Sequence, residues 1–236
     1  MQPQINIFKQ RHELYHHLAN QIKSTAEAVP TTTIALSGGN TQRDFYKYIV
    51  QSDLAEHIPW SAYQIYWVDE RCVPPEHTES NYGMAFEHLF KRINIPENNI
   101  HRIRGENDPI QEALRYTNLL KSKITDNLND VPRFDWLLMG IGEDGHTASL
   151  FPGQSADGLC IVAWHPLSGQ YRISMNYELI NSARRVSFVV TGRKKAAIVA
   201  SILSGKSAAS DLPAARILPA DGVLEWYLDR DATSRL

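Results

Sequence analysis

The sequence predicts an α/β fold, Rossmann-like, in which a largely parallel sheet is flanked by helices, with a few extra C-terminal strands. Three observations predict it. Apolar, β-branched runs alternate along the chain with helix-length amphipathic segments, the pattern of successive βα units. Several of these runs end in glycine-rich or charged turns rather than in tight hairpin turns. The length of 236 residues, with 43% hydrophobic and 21% charged residues, suits one large buried core. No repeat, low-complexity tract or linker interrupts the chain, so residues 1–236 read as a single domain.

The elements follow in order. "QRHELYHHLANQIKSTAEAV" (10–29) has helical apolar spacing and stops at Pro30. "TTTIALSGG" (31–39) is a strand running into two glycines, and "TQRDFYKYIVQ" (41–51) a helix with Thr41 as its candidate N-cap. "YQIYWVDE" (63–70) is a strand ending in acid, ahead of the proline-rich loop "RCVPPEHTES". Helices are expected over 81–93 and 108–128, and a buried strand over 133–142, "RFDWLLMGIG". "LCIVAW" (159–164), "YRISMN" (171–176) and "RRVSFVVTG" (184–192) are strand-like, and "RKKAAIVASILSG" (193–205) is a helix with glycine at its end. "ARILP" (215–219) and "GVLEWYLD" (222–229) close the chain.

Composition excludes several classes of function. A net charge of −2 without a run of like charges favours neither nucleic acid nor a membrane surface as partner. Cys72 and Cys160 are too few for a disulfide framework. The N-terminal stretch lacks the apolar core of a signal peptide, and no window has the length of a membrane span, so a cytoplasmic location is expected. An anionic ligand would have to be held locally, by arginines, lysines and backbone amides.

In open α/β sheets ligands bind beyond the carboxyl ends of the strands. Here those ends carry "SGGNT", "VDERCVP", "GIGEDGHTAS" and "VTGRKKA", which read as one site assembled from four strands. In "SGGNT" the glycines let backbone amides approach a ligand, and the helix that follows favours an anion. A Walker loop is excluded because G-K-[ST] is missing. "GIGEDG" spells a dinucleotide fingerprint but lacks its context: Pro152 and Gly153 cut short any long helix, and "CIVAWHP" does not end in the required acid.

His146 is the sharper candidate. Imidazole titrates near ~6.5 in model peptides and suits general-base work at neutral pH. Of nine histidines it alone sits among glycines and acids at a strand end, where Asp144 or Glu143 could orient it. Ser37 and Ser149 lie near glycines but not in G-x-S-x-G, which argues against a serine triad. His12, His16 and His17, in "HELYHH", do not make the H-E-x-x-H zinc motif, and no metal is expected. Arg71, Arg172, Lys194 and Lys195 are candidate anion clamps: arginine suits bidentate phosphate binding and lysine acts as a point charge.

With these stretches in hand, the chain resembles the 6-phosphogluconolactonase family, within the larger group that includes glucosamine-6-phosphate isomerase/deaminase. The matching stretches are "ALSGGNT", "VDERCVPPEHTESNYGMA", "FDWLLMGIGEDGHTASLFPG", "RISMNYELINSARRVSFVVTGRKKA" and "LPAARILPADGVLEWYLDRDA", covering most of the chain from about residue 31 onward. The resemblance implies hydrolysis of 6-phospho-D-glucono-1,5-lactone to 6-phosphogluconate in the pentose phosphate pathway, with no cofactor. It implies that His146 activates water and that Asp69 and Arg71 belong to the active-site loop; Asp144 is expected, from its place in the same turn, to hold the tautomer of His146. Lys195 matches the phosphate-binding lysine; Gly38, Gly39 and Thr41 match the phosphate-cradling turn, where Asn40 is expected to bind through its amide; and Arg172 aligns with an arginine that helps hold substrate. The expected partner is a small sugar-phosphate lactone, with no nucleic acid or membrane, and the chain is expected as a monomer or small homo-oligomer.

Two departures matter. The family's turn reads S-G-G-[ST]-T-P, whereas Asn40 and Gln42 stand here. The deaminases place a glutamate five residues after their histidine, where this chain has Phe151. That difference favours the lactonase reaction, and whether Asp69 acts chemically or shapes its loop stays open. A non-catalytic sugar-phosphate-binding regulator on the same fold is a second alternative; regulators of that type commonly add a DNA-binding module, for which neither length nor a basic patch is expected here, but a binding-only protein would keep the same anion clamps.

Overall fold

A computed structural model describes residues 2–154, 157–205 and 209–236. Among the described residues, six strands form one parallel sheet: β1 (Gln4–Phe8), β2 (Thr32–Leu36), β3 (Tyr63–Trp67), β7 (Trp136–Met139), β10 (Arg185–Val190) and β11 (Val223–Asp229). Their spatial order is β1-β11-β10-β7-β2-β3. A smaller antiparallel sheet follows the order β4-β9-β8, from β4 (Asp69–Arg71), β8 (Cys160–His165) and β9 (Gln170–Met175). The predicted α/β architecture is therefore present, and two of the three strands of the additional sheet come from the C-terminal half.

The central strands are buried along nearly their whole length, as in a parallel sheet covered on both faces. Trp67, Trp136, Trp226, Tyr66 and Phe188, all on these strands, are at most 1% exposed. Helices α1 (Arg11–Ala28), α2 (Asn40–Gln51) and α3 (Leu54–His57) pack on one another, and α2 also meets α4 (Asn81–His88). Helix α5 (Pro109–Lys123) covers β8 and β9. No described helix is long and apolar enough to cross a membrane.

Several boundaries differ from the sequence reading. Strand β1 was not expected; it is an edge strand whose Ile5 and Ile7 are exposed, and it is recruited by parallel pairing with β11. The run 63–70 breaks at Val68, where β3 leaves the large sheet and β4 joins the small one. Val68 N–H still donates to Leu36 O, and Val68 O accepts from Met175 N–H, so this residue ties the two sheets together. The helix expected over 108–128 stops at Lys123, and β5 (Asn127–Leu128) and β6 (Val131–Pro132) form a hairpin there. Its turn residues Asn129 and Asp130 both have positive φ, 53° and 65°, as a tight two-residue turn demands. Helix α4 ends at His88 and passes into a 3-10 turn, and residues 215–219 largely follow the 3-10 turn Pro213–Arg216. The two remaining helices are α6 (Tyr177–Asn181) and α7 (Ala196–Leu203).

The topology prepares the site. From β2 the chain passes to β3 on one side and later returns as β7 on the other, so β2 and β7 flank a switch point. The carboxyl ends of β10, β7, β2 and β3 are consecutive neighbours, which brings the four glycine-rich and charged turns together.

Candidate active site

A cleft of about 620 Å³ opens over these strand ends, within the size range of small-molecule sites. Its walls include Gly38, Gly39, Asn40, Thr41, Asp69, Arg71, His146, Arg172 and Lys195. Asp144 is absent from the wall but touches His146 from behind. The residues singled out in the sequence are thus brought together.

The turn after β7 is built around His146. Its Nδ1 lies 2.6 Å from Asp144 Oδ1, and its backbone N–H donates to the same oxygen at 3.2 Å. Because a carboxylate only accepts, this contact places a proton on Nδ1, so that in the neutral ring the lone pair lies on Nε2. Burial pushes the Asp144 carboxyl up, but the charge and hydrogen bonds of His146 outweigh it and hold Asp144 below its ordinary value. The loop closes through Gly142 N–H to His146 O at 2.8 Å, and Gly145 has φ +84°. A Cβ on Gly142 would overlap the imidazole and the Asp144 carboxylate. Gly142 and Gly145 of "GIGEDG" therefore serve the histidine turn.

Phe151 packs against this turn. It is buried, with its ring 5.1 Å from His146 and 4.9 Å, edge-on, from His165. The Arg172 guanidinium lies over it, 5.8 Å from the ring centroid. The neighbour of His146 at this position is thus aromatic and carries no acid.

Strand β4, which follows β3, supplies two carboxylates with different surroundings. Glu70 accepts backbone N–H bonds from Arg71, Asn81 and Tyr82 and the hydroxyl of Ser80, so it anchors the start of α4. Its burial pushes the carboxyl up to about 7, against the lowering effect of the three backbone donors. Asp69 is buried and accepts from Ser149 Oγ at 2.7 Å and from Asn81 Nδ2 at 3.3 Å. Asn81 also fills the space beside Gly38, where any Cβ would overlap its amide. One asparagine therefore bolts the glycine turn to the acidic loop.

Cations line the cleft from both sides. Arg71 and Arg172 are direct partners across the β4–β9 ladder, an arrangement in which like charges repel. Burial, then the Arg71 charge, pushes Arg172 below the ordinary arginine value, with Asp69 and nearby glutamates opposing. The Nε atoms of both arginines, the Ser37 hydroxyl and the Gln42 amide are buried without a partner among the described residues. Arg71 donates through Nη1 to Glu79 O. On the opposite wall, Lys195 ends a 3-10 turn after Gly192 (φ +93°). Burial pushes its ammonium below the ordinary lysine value, with Glu143 and Asp144 opposing. Lys194 is exposed beside it. A polar anion bound among these groups would relieve repulsion and satisfy buried donors.

Thr41 departs from expectation. Helix α2 begins at Asn40 with Gly39 as its cap, and no side chain caps it. The Thr41 hydroxyl instead meets Thr191 Oγ1 at 3.0 Å, joining the "SGGNT" turn to the "TGRKK" turn. Sequence reasoning also passed over Arg11, Asp44, Asn81 and Thr191, all in the cleft wall. Asn81 could have been suspected from "ESNYG", a serine cap before a helix; Arg11 carries no local signal.

The family model described as "Glucosamine-6-phosphate isomerases/6-phosphogluconolactonase" matches residues 9–226. The chain is 45% identical to the 6-phosphogluconolactonase of Aggregatibacter actinomycetemcomitans over 206 residues, covering 86% of this chain and 87% of that one. It is 44% identical to that of Haemophilus influenzae, with the same coverage. Among solved structures it is similar to the devB protein (TM-score 0.95, 41% identity, 99% of each chain). It is also similar to 6-phosphogluconolactonase from Trypanosoma brucei (TM-score 0.83, 25% identity, 100% of this chain and 99% of that one). By the extent of these matches, the chain belongs to the glucosamine-6-phosphate isomerase/6-phosphogluconolactonase family.

Proposed function

We propose that the protein is a 6-phosphogluconolactonase, hydrolysing 6-phospho-D-glucono-1,5-lactone to 6-phosphogluconate in the pentose phosphate pathway, with His146 as general base. The observation that carries the reading is the His146–Asp144 pair, 2.6 Å apart, facing a cation-lined cleft with Phe151 at its side. Relatives at 45% and 44% identity that bear this enzyme's name support it independently.

Asp144 holds the tautomer in which Nε2 is free to take a proton from water. The resulting hydroxide attacks C1 of the lactone, and the carbonyl electrons move onto oxygen. Collapse of the tetrahedral intermediate breaks the bond from C1 to the ring oxygen, which receives the proton back from the imidazolium. The new carboxylic acid then ionises and releases one proton to solvent. Arg172 is a group available to stabilise the oxyanion. Lys195, Arg71 and the Gly38–Thr41 turn hold the phosphate, and Asp69, fixed by Ser149 and Asn81, sets the loop that carries Arg71. General-base catalysis contributes about 10²–10⁴-fold, and positioning adds to it.

The test is proton release from freshly made 6-phosphogluconolactone at neutral pH, with spontaneous hydrolysis subtracted and glucosamine-6-phosphate as control substrate. Acceleration of lactone hydrolysis without ammonia from the control is expected. Ammonia release with no acceleration would replace the lactonase reading by a deaminase one.

A further inference from the structure

Resting on that reading, we infer that Arg11, on the first turn of α1, is a third cation of the phosphate subsite and sets affinity for the phosphorylated end of the substrate. Arg11 lies in the cleft wall beside Thr41, Thr191 and Gly192. Its Nη2 would stand 3.5 Å from a Cβ on Gly192, so the guanidinium runs alongside the turn that presents Lys195. The two hydroxyls that join the glycine turn to the lysine turn are part of the same wall. Tyr15, one helical turn along α1, donates to Thr41 O at 3.2 Å and holds that helix against the turn.

The pairings of Arg11 leave it free to serve a ligand. Its contacts with Asp44 Oδ2 and Asp229 Oδ2 are both 3.6 Å, longer than a close charge-assisted hydrogen bond. Asp229 does not depend on it, because that carboxylate accepts Gly192 N–H at 2.9 and 3.0 Å and Ala232 N–H at 2.8 Å. Asp44 is partly exposed and also meets Arg43 at 3.4 Å. The start of α1 is organised without Arg11 as well: Glu13 accepts the backbone N–H groups of Lys9 and Gln10. A half-exposed arginine whose acidic neighbours have other partners, in the wall that Thr41 and Lys195 share, has the chemistry of an oxyanion contact. Its fork can bind two phosphate oxygens, and Asp44 competes with them for the same charge.

The experiment measures inorganic phosphate and 6-phosphogluconate binding by calorimetry, together with kcat and KM for the lactone, in wild type, R11A, R11K, D44N and the R11A/D44N double variant. R11A is expected to weaken phosphate binding and raise KM about tenfold while kcat changes less than twofold. R11K should recover part of the loss, since it restores charge without the fork. D44N should tighten phosphate binding, and by a larger factor with Arg11 present than in R11A. Unchanged phosphate affinity in R11A would overturn the inference. So would a lowered melting temperature in R11A with D44N weakening rather than tightening phosphate, because Arg11 would then be a clip on the turn. If wild type binds phosphate through Arg11 yet does not hydrolyse the lactone, the lactonase reading fails and the phosphate contact stands.

Discussion

The imidazole of His146 occupies the space into which a side chain on Gly142 would project. A Cβ there would overlap Nδ1 and Cε1 of the ring and Oδ1 of Asp144. Gly142→Ala should therefore fold but displace the base, and a shift of about 1 Å can cost on the order of 10²-fold in rate. The expected result is a kcat at least tenfold lower with KM changed far less. Wild-type kcat in G142A would mean that the observed ring position is not the one that reacts.

His146→Ala should lower kcat by about 10²–10⁴-fold while binding of 6-phosphogluconate stays close to wild type. Asp144→Asn should fall between the two, because it removes the charge that holds the proton on Nδ1. An Asp144→Asn enzyme with full activity, beside an inactive His146→Ala, would leave Asp144 without a part in the reaction.

Lys195 gives a pH dependence whose sign can be stated. Burial lowers its ammonium below the ordinary lysine value of 10.5. As pH rises through that depressed value, the free protein loses the charge, and the phosphate-bearing ligand loses a partner. The dissociation constant of 6-phosphogluconate should thus rise with pH before an ordinary lysine would titrate. Lys195→Arg, which keeps its charge, should flatten the rise, and calorimetry between pH 7 and 10 reads both. The same alkaline rise in K195R would assign it to another group.

Ser149 and Asp69 make a buried hydrogen bond of 2.7 Å between residues 80 positions apart. Ser149→Ala leaves the buried carboxylate short of a donor and should cost about 1–3 kcal/mol of stability. Urea unfolding would measure this. If Asp69 shapes its loop rather than exchanging protons, kcat of S149A should stay within a few-fold of wild type. A large kcat loss at unchanged stability would give Asp69 a chemical role.

What was legible from the residues alone is what short-range physics decides. The run of apolar, β-branched segments into glycine turns determined the α/β architecture, because each βα unit has to bury its strand and turn within a few residues. The His146–Asp144 pair spans two residues, so the turn itself brings the groups together. Register and long-range packing have no such signature. Arg71 meets Arg172 only because β4 and β9 pair in one alignment out of several, and Asp69 meets Ser149 only once β3 and β7 have taken their places on either side of β2. Strand β1 was invisible because five residues of weak alternation become a strand only when β11 offers an edge. Arg11, likewise, reads as an ordinary helix arginine until α1 docks and carries it to the cleft wall. The sequence determined the chemistry at each strand end. The tertiary structure decided which of those ends share one cleft, since non-local contacts depend on the packing of the whole core.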